Sequence, residues 1–326
     1  MTAAKVQHYV PQFLLRNFGT GKKDQVFVFE KATGKIFTPN AKNIASESRF
    51  YDFQIDEQAV SLEPLLSKIE SAAKPIFQAI LDTDSLVALD TNARAVLADF
   101  FSVQLVRTRA FREQWAAFPR ILRGHLEARG ERVEPGSQAE GLLSELSEND
   151  LKAQTGTFLV NAPRSFAVHF STKIWGLAAT SKRDPFILGD HPLAMQNMHD
   201  LSPRGNLGLT TPGIEIYFPM SPVRALVLWC PTLANAVFSG ADKLRRMPPW
   251  MVKDRIEHPE EILTLDAALR GGTPIPYRSK NVENFNSLQV AWSERYLFAD
   301  ADHFDLARTM LREHPGLKKG PRMQMN

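Results

Sequence analysis

The chain has 326 residues, 44% hydrophobic and 23% charged, with a formal net charge of +3 from 39 basic and 36 acidic side chains. That length allows one large domain or two modest ones, and so balanced a charge excludes arguing for nucleic acid from charge alone. One cysteine, Cys230, excludes a disulfide or a multi-cysteine zinc site, and the lack of a ~20-residue apolar run or a leader pattern predicts a cytoplasmic chain without a membrane partner.

The first segment, His8-Tyr9-Val10-Pro11-Gln12-Phe13-Leu14-Leu15-Arg16-Asn17-Phe18, sets a histidine, an arginine and two amides among apolar residues. It is expected to dock on the body of the protein, carrying His8 and Arg16 inward, where polar groups need partners. Gly19 to Asp24 reads as a turn, and Gln25 to Glu30 alternates like a half-buried strand. Lys35 to Thr38 returns after Ala32-Thr33-Gly34, which predicts a β-hairpin, and the aromatics between Phe50 and Phe53 close this unit. Ser61 caps a helix with apolar residues from Leu62 through Leu66, Ala73 and Phe77 to Ile80. Asp90-Thr91-Asn92 caps a longer helix, expected to run on through Trp115 and Phe118.

After a loop at Gly130 to Gly136, a helix is predicted from Asn149 to Ala162-Pro163, with a short one continuing to Phe170. The period then changes to strands at Ile174 to Thr180, Pro185 to Gly189, Ile214 to Phe218 and Ala225 to Trp229. Pro203 to Gly213 reads as a long flexible loop. A helix from Asn281 to Glu294, a strand at Tyr296 to Phe298 and a helix from Asp302 to Arg312 complete the pattern. The order predicts an α+β fold as one domain over 1–317, with a hairpin unit 1–55, a helical block 60–170 and a mixed or antiparallel sheet region 174–300. A basic flexible tail, 318–326, follows with Lys318, Lys319 and Arg322.

His8-Tyr9-Val10-Pro11, Leu15-Arg16-Asn17-Phe18, the Val26 to Phe29 strand, and Gln104 with Arg107 form a recognisable series. So do Phe186-Ile187-Leu188-Gly189-Asp190-His191-Pro192, and Asn286 and Gln289 ahead of Ser293-Glu294-Arg295-Tyr296-Leu297-Phe298. Together these blocks resemble the bacterial DUF4238 family over most of the chain. The resemblance implies a common fold but no reaction, because that family is one of unknown function. It also implies asparagine more often than histidine at position 191, so Asp190 carries more weight than the His191 imidazole.

Leu97, Phe100, Gln104, Arg107 and Phe111 succeed one another at three- and four-residue steps, so they share one helical face. An arginine in that apolar stripe needs an anion: a bound phosphate, or a carboxylate such as Asp190 or Glu294. Arg109 and Arg112 point elsewhere and are expected in solvent. His8 suits proton transfer near neutral pH, or else pins the terminus through a carbonyl. Asp190-His191-Pro192 reads as a capped turn; a metal held with His199 and Asp200 lacks any recognised ligand spacing. Glu215-Ile216-Tyr217 is arranged as in metal-dependent nucleases, but tyrosine stands where lysine would activate water. Asn286 and Gln289 offer amides to a base, a sugar or buried polar groups. Cys230 reads as a small buried filler.

The expected function is an enzyme acting on a phosphate-bearing substrate, with metal-free phosphodiester cleavage of RNA or DNA. In that reading His8, Arg16, Gln104, Arg107 and Asp190 form the catalytic set, while Asn17, His191, Asn286 and Gln289 bind substrate. The alternative is a non-catalytic nucleotide- or nucleic-acid-binding regulatory module built on the same residues. Cofactor and oligomeric state stay open.

Overall fold

A computed structural model describes residues 5–199, 207–248, 250–252 and 256–323. The chain begins with β1 (Val6–His8), α1 (Gln12–Asn17), the hairpin β2 (Phe27–Glu30) and β3 (Ile36–Phe37), then β4 (Ser46–Ser48) and a second hairpin, β5 (Asp52–Ile55) with β6 (Gln58–Ser61). The helical middle comprises α2 (Glu63–Thr83), α3 (Thr91–Val106), α4 (Arg109–Ala128), α5 (Gln138–Leu143) and α6 (Glu148–Ser171). Strands β7 (Ile174–Ala179), β8 (Leu188–Gly189), β9 (Ala194–Asn197), β10 (Ile214–Ser221) and β11 (Arg224–Trp229) follow. The chain then runs through α7 (Pro231–Arg246), α8 (Pro259–Gly271), β12 (Pro274–Pro276), α9 (Ser279–Trp292), β13 (Tyr296–Ala299) and α10 (Asp305–Glu313). The fold is α+β, as the order of elements predicts.

Alternation in β10 explains the layering. Ile214, Ile216, Phe218 and Met220 point to one face of a five-stranded sheet ordered β12-β7-β11-β10-β9, and meet the helical block there. Phe218 lies 5.5 Å from the Phe77 ring of α2 and 5.1 Å from Phe101 of α3, centroid to centroid. Tyr217, on the other face, joins Ala178, Val227 and Ile275 against Leu269 of α8 and Phe285 of α9. Helices therefore cover both faces, and α3 sits deepest, with Leu97, Phe100, Phe101 and Val103 all buried.

The predicted N-terminal hairpin is present, but it does not stand apart. Its β2 strand pairs with β13, and β13 pairs with β8, giving a four-stranded antiparallel sheet from distant parts of the chain. Two helix boundaries differ from expectation. The long helix breaks at Thr108, whose extended backbone and side-chain cap of Phe111 restart the chain as α4. Conversely, α6 runs unbroken through Pro163, because Leu159, Ala162 and Phe170 remain buried and packing outweighs one missing N–H. Helices α7 and α8 escape the sequence reading, although each starts with proline at its first turn, a known start signal. In the segment read as a long loop, 203–206 lie outside the described residues.

The C-terminal residues expected as a flexible tail are tied down as far as Arg322, which grips Glu294 through two contacts of 2.8 Å. Packing is tight where α6 crosses β5: a Cβ on Gly156 would lie 2.7 Å from Phe53 Cε1. Gly156→Ala should therefore lower the unfolding free energy by about 1–2 kcal/mol in urea titrations, despite alanine's better helix propensity. An unchanged or raised midpoint would show that Phe53 yields freely.

Candidate functional site

The opening segment docks as expected, with Leu14, Leu15 and Phe18 buried, but its polar side chains diverge. Arg16, expected inside, keeps 44% of its side chain exposed and pairs with Asp24 at 3.1 Å. The apolar face of the six-residue α1 takes the buried side, so Arg16 projects from the other. A chain of bonds runs back from it: Arg16 Nη2 to Gln12 Oε1 (3.0 Å), Gln12 Nε2 to His8 Nδ1 (3.4 Å), and His8 Nε2 to the Lys42 carbonyl (3.1 Å). A carbonyl only accepts, so His8 donates from Nε2 and accepts at Nδ1, the neutral tautomer. Burial pulls its imidazole below the ordinary value, against the opposing pull of the Lys42 carbonyl. Asn17 donates to the Met220 carbonyl at 2.9 Å.

Gln104 and Arg107 are buried at the end of α3, as their stripe predicts. The Arg107 anion is Glu70 of α2, at 2.6 Å, and neither Asp190 nor Glu294. Its Nη2 also donates to the His8 carbonyl at 2.6 Å, and Gln104 Nε2 donates to the Tyr9 carbonyl at 3.2 Å. Burial pulls the Arg107 guanidinium down, but the Tyr51 phenol and Glu70 outweigh it and hold the charge. Arg109 and Arg112, expected in solvent, grip Glu47 (2.8 Å) and the Phe50 carbonyl (2.7 Å). The Arg112 guanidinium lies 3.5 Å from the Phe50 ring centroid.

A second group gathers around residues 185–192. Asn286 accepts from the Ile187 N–H (3.0 Å) and donates to the Pro185 carbonyl (2.9 Å). Gln289, one turn later on α9, accepts from the Gly189 N–H (2.9 Å) and donates to the Pro192 carbonyl (3.1 Å). The two amides thus act on an extended segment as a neighbouring strand would. Asp190 accepts from the N–H groups of Glu294 (2.7 Å), Arg295 (2.9 Å) and Tyr296 (3.0 Å). Burial pushes its carboxyl up to about 6, although those three N–H groups and Lys31 pull the other way. His191 stacks on Trp292 at 5.6 Å and bonds Thr108 Oγ1 at 2.6 Å; burial pulls it down to about 4.

The structure therefore brings His8, Gln104 and Arg107 together, and separately Asp190, His191, Asn286 and Gln289. Thr108, beside Arg107, links the two groups through His191. Apart from Arg16 and His191, each of these side chains bonds main chain.

None of them lines the cavity of about 880 Å³ on the outer face of the five-stranded sheet, between α8 and α9. Its floor is a row of side chains across three strands, Gln196 and Trp229 standing opposite Glu215 on either side in register. Tyr217 follows Glu215 on the same face, two residues along β10. Tyr277 and Thr264 line walls, and Arg278, Ser279 and Lys280 bring the start of α9 to the rim. Hydrogen bonds link the floor: Asn284 Nδ2 to Gln196 Oε1 (3.2 Å), Gln196 Nε2 to Tyr217 Oη (2.9 Å), and Tyr217 Oη to Glu215 Oε2 (2.5 Å). Burial raises the Tyr217 phenol well above its ordinary value, helped by Tyr277 and Glu215; burial and Glu215 raise Tyr277 likewise. The legible signal was Glu215-Ile216-Tyr217, a polar pair at strand spacing inside an apolar strand.

As possible metal ligands among the described residues, His258, Glu260 and Glu261 bring donor atoms within 4.8 Å, all exposed, with Glu261 held by Arg278 at 2.7 Å. The oxygens of Asp190 are already engaged by three N–H groups, and Asp200 lies outside the described residues.

A family model described as a protein of unknown function, DUF4238, matches residues 6–303. No curated protein and no solved structure matches the chain.

Asp190→Asn should lower the unfolding free energy by about 2 kcal/mol or more, since an amide nitrogen would face buried N–H groups. A change below about 0.5 kcal/mol in urea would show that these bonds add little. His191 gives a pH signature. Its folded value lies below the ordinary 6.5, so the unfolded chain takes up the proton first and stability falls as pH drops from 6.5 towards 4. His191→Asn should remove a loss of roughly 3 kcal/mol across that window and leave the difference from the native chain flat above it. A pH-independent difference would count against a buried neutral His191.

Proposed function

The chain belongs to the DUF4238 family, and from that premise we propose that it is a non-catalytic nucleotide-binding module whose ligand occupies the cavity over the β10 face. The observation that carries this reading is the cavity itself. Its roughly 880 Å³ falls within the range of small-molecule sites, and it has chemically distinct ends. At the floor, the Glu215 carboxylate and the Gln196 amide stand among the rings of Tyr217, Trp229 and Tyr277, suited to the edge and face of a base. At the rim, beside Glu260 and the Glu261–Arg278 pair, Lys280 and the first turn of α9 offer one positive charge and a helix N-terminus, suited to a phosphate.

The residues first expected to cleave a phosphodiester support catalysis less well. His8 has both ring nitrogens engaged, Arg107 is neutralised by Glu70, and Asp190 is saturated by main-chain donors. Proton transfer by any of them requires breaking bonds that hold the fold.

Titration calorimetry with adenine and cytosine nucleotides should give one site per chain, with affinity on the order of micromolar. Thr264→Trp, which fills the cavity from α8, should abolish the heat while circular dichroism stays unchanged. Lys280→Ala should weaken binding roughly tenfold, more at low salt than at high. Binding that survives Thr264→Trp would move the site elsewhere. Hydrolysed product after hours of incubation would replace the binding module with an enzyme.

A further inference from the structure

The cavity floor sets a donor without an acceptor beside an acceptor that is short of donors. The Trp229 indole N–H is buried and has no hydrogen-bond partner, although the residue lines the cavity. A buried N–H left unmet is costly, and folded chains keep few of them. Trp229 stands directly opposite Glu215 in the register of β10 with β11. The Cys230 N–H bonds the Ile214 carbonyl at 2.9 Å, which marks 214 and 230 as the hydrogen-bonded pair. Glu215 and Trp229 are therefore the closer kind of pair, with both side chains on one face.

The carboxylate has capacity to spare. It has no proton to give, so the Tyr217 phenol donates to Glu215 Oε2. Tyr217 Oη then accepts from Gln196 Nε2 at 2.9 Å, and Glu215 Oε1 keeps one long contact, 3.4 Å, to that same amide. Gln196 flanks Glu215 on the side away from Trp229, in the register of β9 with β10. Along the row the groups run donor, acceptor, donor: the Trp229 N–H, Glu215 Oε1 and the second Gln196 N–H. A planar group with an N–H beside an acceptor atom satisfies Glu215 and one flanking donor together. Its acceptor can lie on either side.

We infer that the floor holds a base by one edge, Glu215 taking an N–H of the base while Trp229 or Gln196 donates to the acceptor beside it. The inference rests on the nucleotide reading above and adds to it which atoms of the base are read. Amino and keto bases both satisfy the row. Adenine and cytosine carry an amino N–H beside a ring nitrogen, and hypoxanthine and uracil carry a ring N–H beside a carbonyl. A base with no N–H offers the carboxylate nothing, and should bind at least about tenfold more weakly.

The test uses calorimetry on the full chain with base-modified monophosphates. AMP, IMP, CMP and UMP should bind within about tenfold of one another. Purine riboside 5′-monophosphate, with hydrogen in place of the AMP amino group, should bind at least about tenfold more weakly than AMP. 3-Methyl-UMP, which lacks the ring N–H, should lose as much against UMP, whereas 5-methyl-UMP should not. Glu215→Met combined with Tyr217→Phe removes the acceptor without stranding the phenol, and should bring AMP and purine riboside monophosphate within a few-fold. Heteronuclear NMR reads the donor side, since the uracil N–H has a carbonyl on each side and engages both donors. Among the five tryptophan indole signals, the one lost in Trp229→Phe should move downfield when UMP is added. Equal binding of AMP and its amino-free analogue overturns the inference and leaves the nucleotide reading standing. So does a Trp229 signal that stays in place under saturating UMP. Failure of every nucleotide to bind overturns both readings together.

Discussion

Three main-chain N–H groups converging on one buried carboxylate hold the middle of this molecule together. Asp190 ends the 185–190 segment and accepts from Glu294, Arg295 and Tyr296, at the point where α9 gives way to β13. Helix ends and strand starts leave donors without partners, and burial makes unmet donors costly. The carboxylate meets them, and in doing so fixes where β13 enters the four-stranded sheet. Lys31 complements it from the β2 side, its buried ammonium donating to the Val290 carbonyl at 2.7 Å and to that of Ser293. A buried anion at the start of one element and a buried cation at the end of another set the same junction from both sides.

Helix α9 then works in two directions. Asn286 and Gln289 face inward and satisfy the 185–192 main chain. Asn284 and the first-turn residues face the cavity and complete its floor and rim. The cavity wall is thus braced by the bonds that order the core, which gives it a fixed geometry. The opening segment follows the same logic: Gln104 and Arg107 from α3 bond the carbonyls of Tyr9 and His8.

This arrangement separates the polar groups that make the fold from those that line the cavity. The residues carrying the family resemblance, including His8, Asn17, Gln104, Arg107, Asp190, Asn286 and Gln289, each bond main chain or a partner within the core. The groups with spare capacity lie on the outer sheet face, at Glu215 and around it. A buried polar cluster looks the same in sequence whether it serves packing or chemistry, because both need charged and amide side chains among apolar ones.

The sequence by itself determined the α+β class, the strands that became β10 and β11, the docking of the terminus and the burial of Gln104 and Arg107. Each depends on local period or on the cost of unpaired polar groups, and both are written in neighbouring residues. Only the tertiary structure decided that Glu70 answers Arg107, that Asp190 serves three N–H groups, and that β2 joins β13 and β8. It alone placed Gln196, Glu215 and Trp229 in one row, because strand register brings together residues far apart in the chain.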